Sequence, residues 1–109
     1  MTTEPGEVYL VDLGMAAKLR PMLVVSRKDA DAPRALSICA PVTSSCRNSA
    51  YEVPLGRLSF LRETSFVNVQ GVQAVAHHEL LRKLGRISAS DLAAVKKALA
   101  WALDLPALP

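Results

Sequence analysis

The sequence predicts a mainly β domain with one helix: a small, strongly bent barrel of about five strands, capped by a C-terminal α-helix. Three observations predict it. Short apolar runs bounded by Gly, Pro or polar clusters recur through most of the chain. One longer stretch near the end carries helical spacing with a start and a stop signal. About five strands fall short of the usual ~7 of a two-layer sandwich, so the sheet is expected to curl and take the helix as its lid.

Residues 8–13 are rich in β-branched and large apolar side chains, lie between Gly6 and Gly14, and read as the first strand. Residues 21–26 place Met-Leu-Val-Val after Arg20 and Pro21 and read as the second. Pro21 donates no ladder hydrogen bond, so it belongs at the first position of that strand or on an edge. Residues 27–34 form a charged turn region with Pro33, and 36–41 are an apolar run of six, too short for a helix. Residues 42–50, Val-Thr-Ser-Ser-Cys-Arg-Asn-Ser-Ala, read as a polar loop. Residues 51–53 form a short strand ended by Pro54, and 55–64 a turn containing Gly56.

Residues 65–69 set Phe66 and Asn68 against Val67 and Val69, the mark of a strand with two unlike faces. Gly71 marks a bend or bulge, after which 72–75 continue the sheet. Residues 77–81 form one helical turn, and 84–87 lead into the long helix. Ser88 is its N-cap, and Asp91 carries a negative charge into the first turn. Leu92, Val95, Leu99 and Leu103 form its apolar stripe, Lys96 and Lys97 fall off that stripe, and Pro106 ends it.

With 109 residues, half of them hydrophobic and a fifth charged, the chain fits one domain (1–109) with a core of its own. The formal charge is +3, and it is uneven. Between Gly14 and Arg62 stand Lys18, Arg20, Arg27, Lys28, Arg34, Arg47, Arg57 and Arg62, opposed by Asp29, Asp31 and Glu52 alone. A local surplus of this sign suits a polyanionic partner, although solvated surface charge explains it equally well. The first five residues lack the basic and apolar regions of a signal peptide, and no apolar run reaches the ~20 residues of a membrane span. A cytoplasmic protein with no membrane partner is expected.

Cys39, in an apolar run, reads as a buried thiol, and Cys46, in a polar loop, as an exposed one. A four-ligand zinc site would need both cysteines and both His77 and His78, and adjacent histidines do not easily aim at one metal from a strand. No metal or other cofactor is expected.

Five segments carry a family resemblance. Gly6-Glu7-Val8-Tyr9-Leu10-Val11-Asp12-Leu13 resembles the opening strand of MazF/PemK toxins, and Arg20-Pro21-Met22-Leu23-Val24-Val25-Ser26 their Arg-Pro strand. Ala40-Pro41-Val42-Thr43-Ser44 is similar to the strand end bearing the family's Thr or Ser, and Tyr51-Glu52-Val53-Pro54-Leu55 to the next strand. Leu84-Gly85-Arg86-Ile87-Ser88, followed by Asp91-Leu92, resembles the entry to the C-terminal helix. In order and in compatible spacing these cover about residues 6–103, leaving a short polar N-terminal arm and a C-terminal tail.

The resemblance implies an SH3-like barrel that forms a homodimer. It implies sequence-selective, metal-independent cleavage of single-stranded RNA, leaving a 5′-hydroxyl and a 2′,3′-cyclic phosphate or 3′-phosphate. The implied protein partner is a cognate antitoxin whose tail occupies the RNA groove. The family's catalytic Arg and Thr carry over to Arg20 and Thr43. Lys18, Ser44, Ser45 and Arg47 are the expected RNA-binding residues around them.

The residues alone leave these roles open, since an Arg before a Pro is usually solvated and Thr-Ser-Ser after a strand is usually a turn. The chemistry nonetheless fits. RNA supplies its own 2′-hydroxyl nucleophile, a guanidinium grips phosphate oxygens in a fork, and a threonine hydroxyl donates one more hydrogen bond. His77 and His78 match no family catalytic position and read as surface or helix-start residues; Trp101 reads as a packing or dimer-interface side chain rather than a base-stacking one.

The chain departs from the family in two places. Loop 14–19 is short and lacks an acid, and Gln70-Gly71-Val72-Gln73 stands where the family carries Asp-Gln-Ile-Arg, so no general base is assigned. Two alternatives remain. One is a gyrase poison of the same fold, which the Leu-Asp-Leu-Pro-Ala-Leu-Pro ending does not resemble; the other is a catalytically weakened barrel kept for binding RNA or antitoxin.

Overall fold

In the computed structural model, which describes residues 1–14 and 18–106, the strands run in the order β4-β5-β3-β2-β1-β7, with β6 on the free side of β3. They are β1 Glu7–Asp12, β2 Leu19–Val24, β3 Leu36–Thr43, β4 Glu52–Gly56, β5 Ser65–Asn68, β6 Gln73–Ala76 and β7 Leu80–Arg86. Two 3-10 turns, Val69–Gly71 and His77–Glu79, flank β6, and helix α1 spans Ala89–Ala102. Every ladder is antiparallel.

The bend of the sheet lies in β3. Its first half, Leu36 to Cys39, pairs with β6, and its last two residues, Val42 and Thr43, pair with β5. One strand thus passes from one sheet to the next, which gives the expected barrel-like curl without full closure.

Alternation sorts the apolar side chains into two cores. Val8, Leu23, Ala40 and Val42 face one side, where Val53, Leu55, Val67, Val69, Ile87 and Val95 complete the cluster. Tyr9, Val11, Met22, Val24 and Cys39 face the other, closed by Val75 and Leu80. Burial on both faces explains why these strands read as nearly unbroken apolar runs. Burial also pushes the Cys39 thiol up to about 12, while Cys46 is exposed.

The structure corrects several boundaries and adds strands. Among the described residues there are seven, where the sequence predicts about five. β7 escapes sequence reading because Arg82, Lys83 and Arg86 interrupt its apolar residues; it pairs only with β1, and charges are common on such edge strands. Pro54 lies inside β4 instead of ending it, which an end strand of the path tolerates. Pro21 is the third residue of β2, at a level where pairing with β3 has not begun, so it too meets a local edge. Val42 and Thr43 belong to β3 rather than to the loop after it.

Ser88 caps α1 as expected, its hydroxyl accepting the Asp91 N–H at 3.1 Å. Of the predicted stripe, Val95 is buried and Leu92 and Leu99 pack partly, but Leu103 is 58 % exposed. The helix stops ahead of Pro106 in a left-handed turn: Asp104 has φ +55°, its N–H bonds to the Trp101 carbonyl, and the Leu105 N–H bonds to the Ala100 carbonyl. This is a Schellman cap with Asp in the usual Gly place.

Candidate RNA-binding cleft

β2 and β3 bring the two residues of interest together. Their ladder pairs Met22 with Pro41. The ladder ends there, leaving Arg20 two residues before Met22 on β2 and Thr43 two residues after Pro41 on β3, at the same end of the two strands. Arg20, Val42 and Thr43 are shared by two adjoining surface depressions. The larger, of about 400 Å³, adds Pro41, Ser45, Arg47, Ser49, Glu52, Asn68 and Gln70; the smaller, of about 240 Å³, adds Leu19, Pro21, Ser44, Leu61, Arg62, Glu63 and Ser65. The result is one open groove with Arg20 and Thr43 at its waist.

Thr43 accepts the Ser45 N–H on its hydroxyl oxygen at 3.0 Å. A hydroxyl has one proton and two lone pairs, so its O–H stays available to donate into the groove. The exposed Arg20 and Arg47 side chains carry no carboxylate partner among the described residues, where the ion pairs join Glu4 and Glu7 to Lys28, Lys83 and Arg86. Arg20 and Arg47 therefore present their charge to solvent.

The loop between β3 and β4 is held from within. Both Glu52 oxygens accept the Arg47 N–H, at 3.0 and 2.9 Å, and Glu52 also accepts the Ser49 N–H at 3.0 Å and the Ser49 hydroxyl at 3.1 Å. The Arg47 and Ser49 N–H groups hold its carboxyl below the usual range. The loop turns at Asn48, whose φ is +55°. Glycine matters at the opposite wall: a Cβ on Gly71 would come 2.7 Å from Cγ of Pro41, so only glycine lets the Val69–Gly71 turn press on β3 there.

Of the residues expected in the site, Arg20, Thr43, Ser44, Ser45 and Arg47 meet in this groove. Lys18 is exposed but lines neither depression. Loop 14–19, singled out in the sequence, lies partly outside the described residues, as does the chain end at 107–109. Gln70 lines the groove, whereas Gln73 sits in β6 opposite Cys39. Sequence reasoning missed Glu52, whose role as an acceptor arises only when the loop folds back on it.

The histidines lie elsewhere. Nε2 of His77 is 2.9 Å from the Ser37 hydroxyl, which is 2.7 Å from the Thr3 hydroxyl. Ser37 stands six residues before Thr43 along β3, roughly 20 Å of extended strand. His78 is exposed beside Asp12 and Glu79. Trp101 is 54 % exposed and packs edge-on against Tyr51, ring centroids 4.9 Å apart.

Fold and groove together define a small bent barrel with a cationic cleft beside a free hydroxyl. The chain belongs to the family of PemK-like, MazF-like toxins of type II toxin–antitoxin systems, whose model matches residues 4–103. It is 35% identical over 108 residues to the probable endoribonuclease MazF5 of Mycobacterium tuberculosis, covering 95% of this chain and 97% of that protein. It is 28% identical over 95 residues to endoribonuclease MazF3 of the same species, covering 87% of this chain and 92% of that one. Among solved structures it resembles a mycobacterial endoribonuclease in complex with its cognate antitoxin, with TM-score 0.83 and 27% identity over 97% of this chain and 99% of that one. It also resembles the Mycobacterium tuberculosis toxin MazF-mt6, with TM-score 0.81 and 28% identity over 93% and 99% of the two chains.

Proposed function

We propose that this chain is the toxin of a type II toxin–antitoxin pair, acting in the cytoplasm as a sequence-selective, metal-independent endoribonuclease on single-stranded RNA. The observation that carries the reading is the meeting of Arg20, free of any carboxylate among the described residues, with the Thr43 hydroxyl at the waist of one open cleft. Names of relatives as endoribonucleases support it.

The 2′-oxygen attacks the adjacent phosphorus, a P–O2′ bond forms and the P–O5′ bond breaks. The 2′-hydroxyl loses its proton, the departing O5′ gains one, and the ends are a 2′,3′-cyclic phosphate and a 5′-hydroxyl. Later addition of water opens the cycle to a 3′-phosphate. Negative charge gathers on the phosphorane oxygens, and the Arg20 fork stabilises it there. The Thr43 O–H donates to one of the same oxygens, worth about 1–3 kcal/mol in a water-poor site. A guanidinium is permanently charged, so the role of Arg20 is electrostatic first.

Lys18, Ser44, Ser45 and Arg47 hold the flanking strand. Two copies pair to build one longer groove, and a cognate antitoxin covers it.

The test is incubation of purified protein with single-stranded RNA in EDTA, with end-group analysis of the fragments. Fragments ending in 2′,3′-cyclic phosphate or 3′-phosphate, with 5′-hydroxyl partners, are expected. Intact RNA, or cleavage that EDTA abolishes, contradicts the proposal.

A further inference from the structure

The β3–β4 loop carries Arg47 into the cleft on a backbone that has little regular pairing of its own. Short local bonds such as Ser45 N–H to the Thr43 hydroxyl and Asn48 N–H to Cys46 Sγ bend it, and one side chain ties it to the sheet. Glu52, the first residue of β4, takes four hydrogen bonds from two residues of that loop, all between 2.9 and 3.1 Å. Charge-assisted bonds of this kind are roughly twice as strong as neutral ones. Glu52 is itself fixed, since β4 pairs it with Asn68 of β5. The loop is therefore clasped to the sheet at the Arg47 and Ser49 amides, the chain turning through positive φ at Asn48 between them.

We infer that Glu52 is a positioning residue for RNA selection: by clasping the loop it fixes Arg47 and Ser49 at one wall of the cleft and so determines which nucleotides beside the cut are accepted. The inference rests on the endoribonuclease reading and deepens it. The carboxylate lines the cleft as well, and an acid there could be read as the missing general base. Its geometry argues otherwise: its oxygens accept from three donor groups, the Arg47 N–H shared by both oxygens and the Ser49 N–H and O–H, which stabilise the ionised form and weaken it as a proton acceptor at neutral pH. Simple repulsion of RNA phosphate by a negative charge is the other competing role, and it makes the opposite prediction for affinity.

The experiment compares wild type, Glu52→Gln, Glu52→Ala, Arg47→Ala and the Glu52→Ala/Arg47→Ala double variant on a pool of mixed-sequence single-stranded RNA. The cut-site spectrum, KM and kcat are read with circular dichroism as the folding control, and amide hydrogen exchange is followed at Arg47 and Ser49. Glu52→Ala is expected to speed exchange at both amides, raise KM about tenfold and broaden the cut-site spectrum. Its kcat should fall less than KM rises, and its kcat–pH profile should keep the wild-type shape. Glu52→Gln, which retains one acceptor oxygen, should fall between. The double variant should cost no more than the worse single, as expected when one residue acts through the other.

A folded Glu52→Ala that cuts the same sites at the same KM overturns the inference. So does one that binds RNA more tightly, or one whose pH–rate profile loses a limb. Wild type that cuts no RNA contradicts the endoribonuclease reading instead, and the inference with it.

Discussion

The molecule handles its charges in two opposite ways at two places. Near the N-terminus, cations and anions are matched: Glu4 pairs with Arg86 and Lys28, and the buried Glu7 pairs with Lys83 at 2.6 Å. In the cleft, Arg20 and Arg47 line a groove with Glu52, yet neither guanidinium forms an ion pair among the described residues. Glu52 is spent on backbone amides instead. Charge in the first region is neutralised and partly buried; charge in the cleft is solvated and open. Of the basic surplus between Gly14 and Arg62, Lys28 is paired with Glu4, whereas Arg20, Arg47 and Arg62 line the cleft.

Salt separates the two regions most strongly. A strand contacting the Arg20, Arg47 and Arg62 side chains gives a log–log slope near −2 at roughly 0.7 per phosphate, or about a 20-fold loss of affinity between 50 and 200 mM salt. The unfolding midpoint should move far less over that range, because a partly buried pair is screened less. Fluorescence anisotropy with a labelled RNA and urea titrations at the same salts check both. A flat binding response would mean that the cleft cations do not meet phosphate.

Glu7→Ala should lower stability by about 1–3 kcal/mol, the range for stranding hydrogen-bond partners of a buried group. It removes the acceptor of the Glu4 N–H at 2.7 Å as well as the partner of Lys83. RNA cleavage at saturating protein should be unchanged. Urea unfolding gives the first, the RNA assay the second; equal damage to both would erase the division between the regions.

Acid gives a smaller, graded effect. Burial pushes the Glu7 carboxyl up, but Lys83 and the Glu4 N–H outweigh it and leave it below the usual range. Its stabilisation is therefore complete above the unfolded value of about 4.3 and fades as pH falls through the lower folded value. Lys83 is shifted the other way by the Glu7 hydrogen bond, so its share is complete below about 10.4 and fades at higher pH. The unfolding midpoint should be flat near neutrality and drop in acid, and Glu7→Gln should shrink the acid drop. An unchanged acid limb in that variant would show that other carboxylates control it.

What could be read beforehand follows from range. Local signals held: apolar runs gave most strands, Ser88 gave the helix start, and Phe66 and Asn68 gave the two-faced β5. Signals that depend on neighbours failed. The cations of β7 hid a strand that only its pairing with β1 defines, and Pro54 looked like a terminator because its end-strand position is invisible in one dimension. The cleft was legible in the same uneven way. Arg20 and Thr43 are 23 positions apart in the chain, and no spacing rule joins them; the family resemblance did, and the β2–β3 register supplies the physical reason. Glu52 had no signal, because its partners are backbone amides of a loop not yet folded.

The most direct test of the account is the cleavage rate on one fluorescent single-stranded RNA, in EDTA, for wild type and five variants, with circular dichroism confirming the fold. Arg20→Ala should cut at least ~100-fold more slowly, the scale of losing a preorganised oxyanion donor. Arg20→Lys should recover only part of that, because an ammonium cannot form the fork. Thr43→Val should cost less than Arg20→Ala. His77→Ala and His78→Ala should stay within a few-fold of wild type, unlike the loss of a true acid–base group. A folded Arg20→Ala that cleaves normally beside a dead histidine variant would move the chemistry out of this cleft and contradict the account.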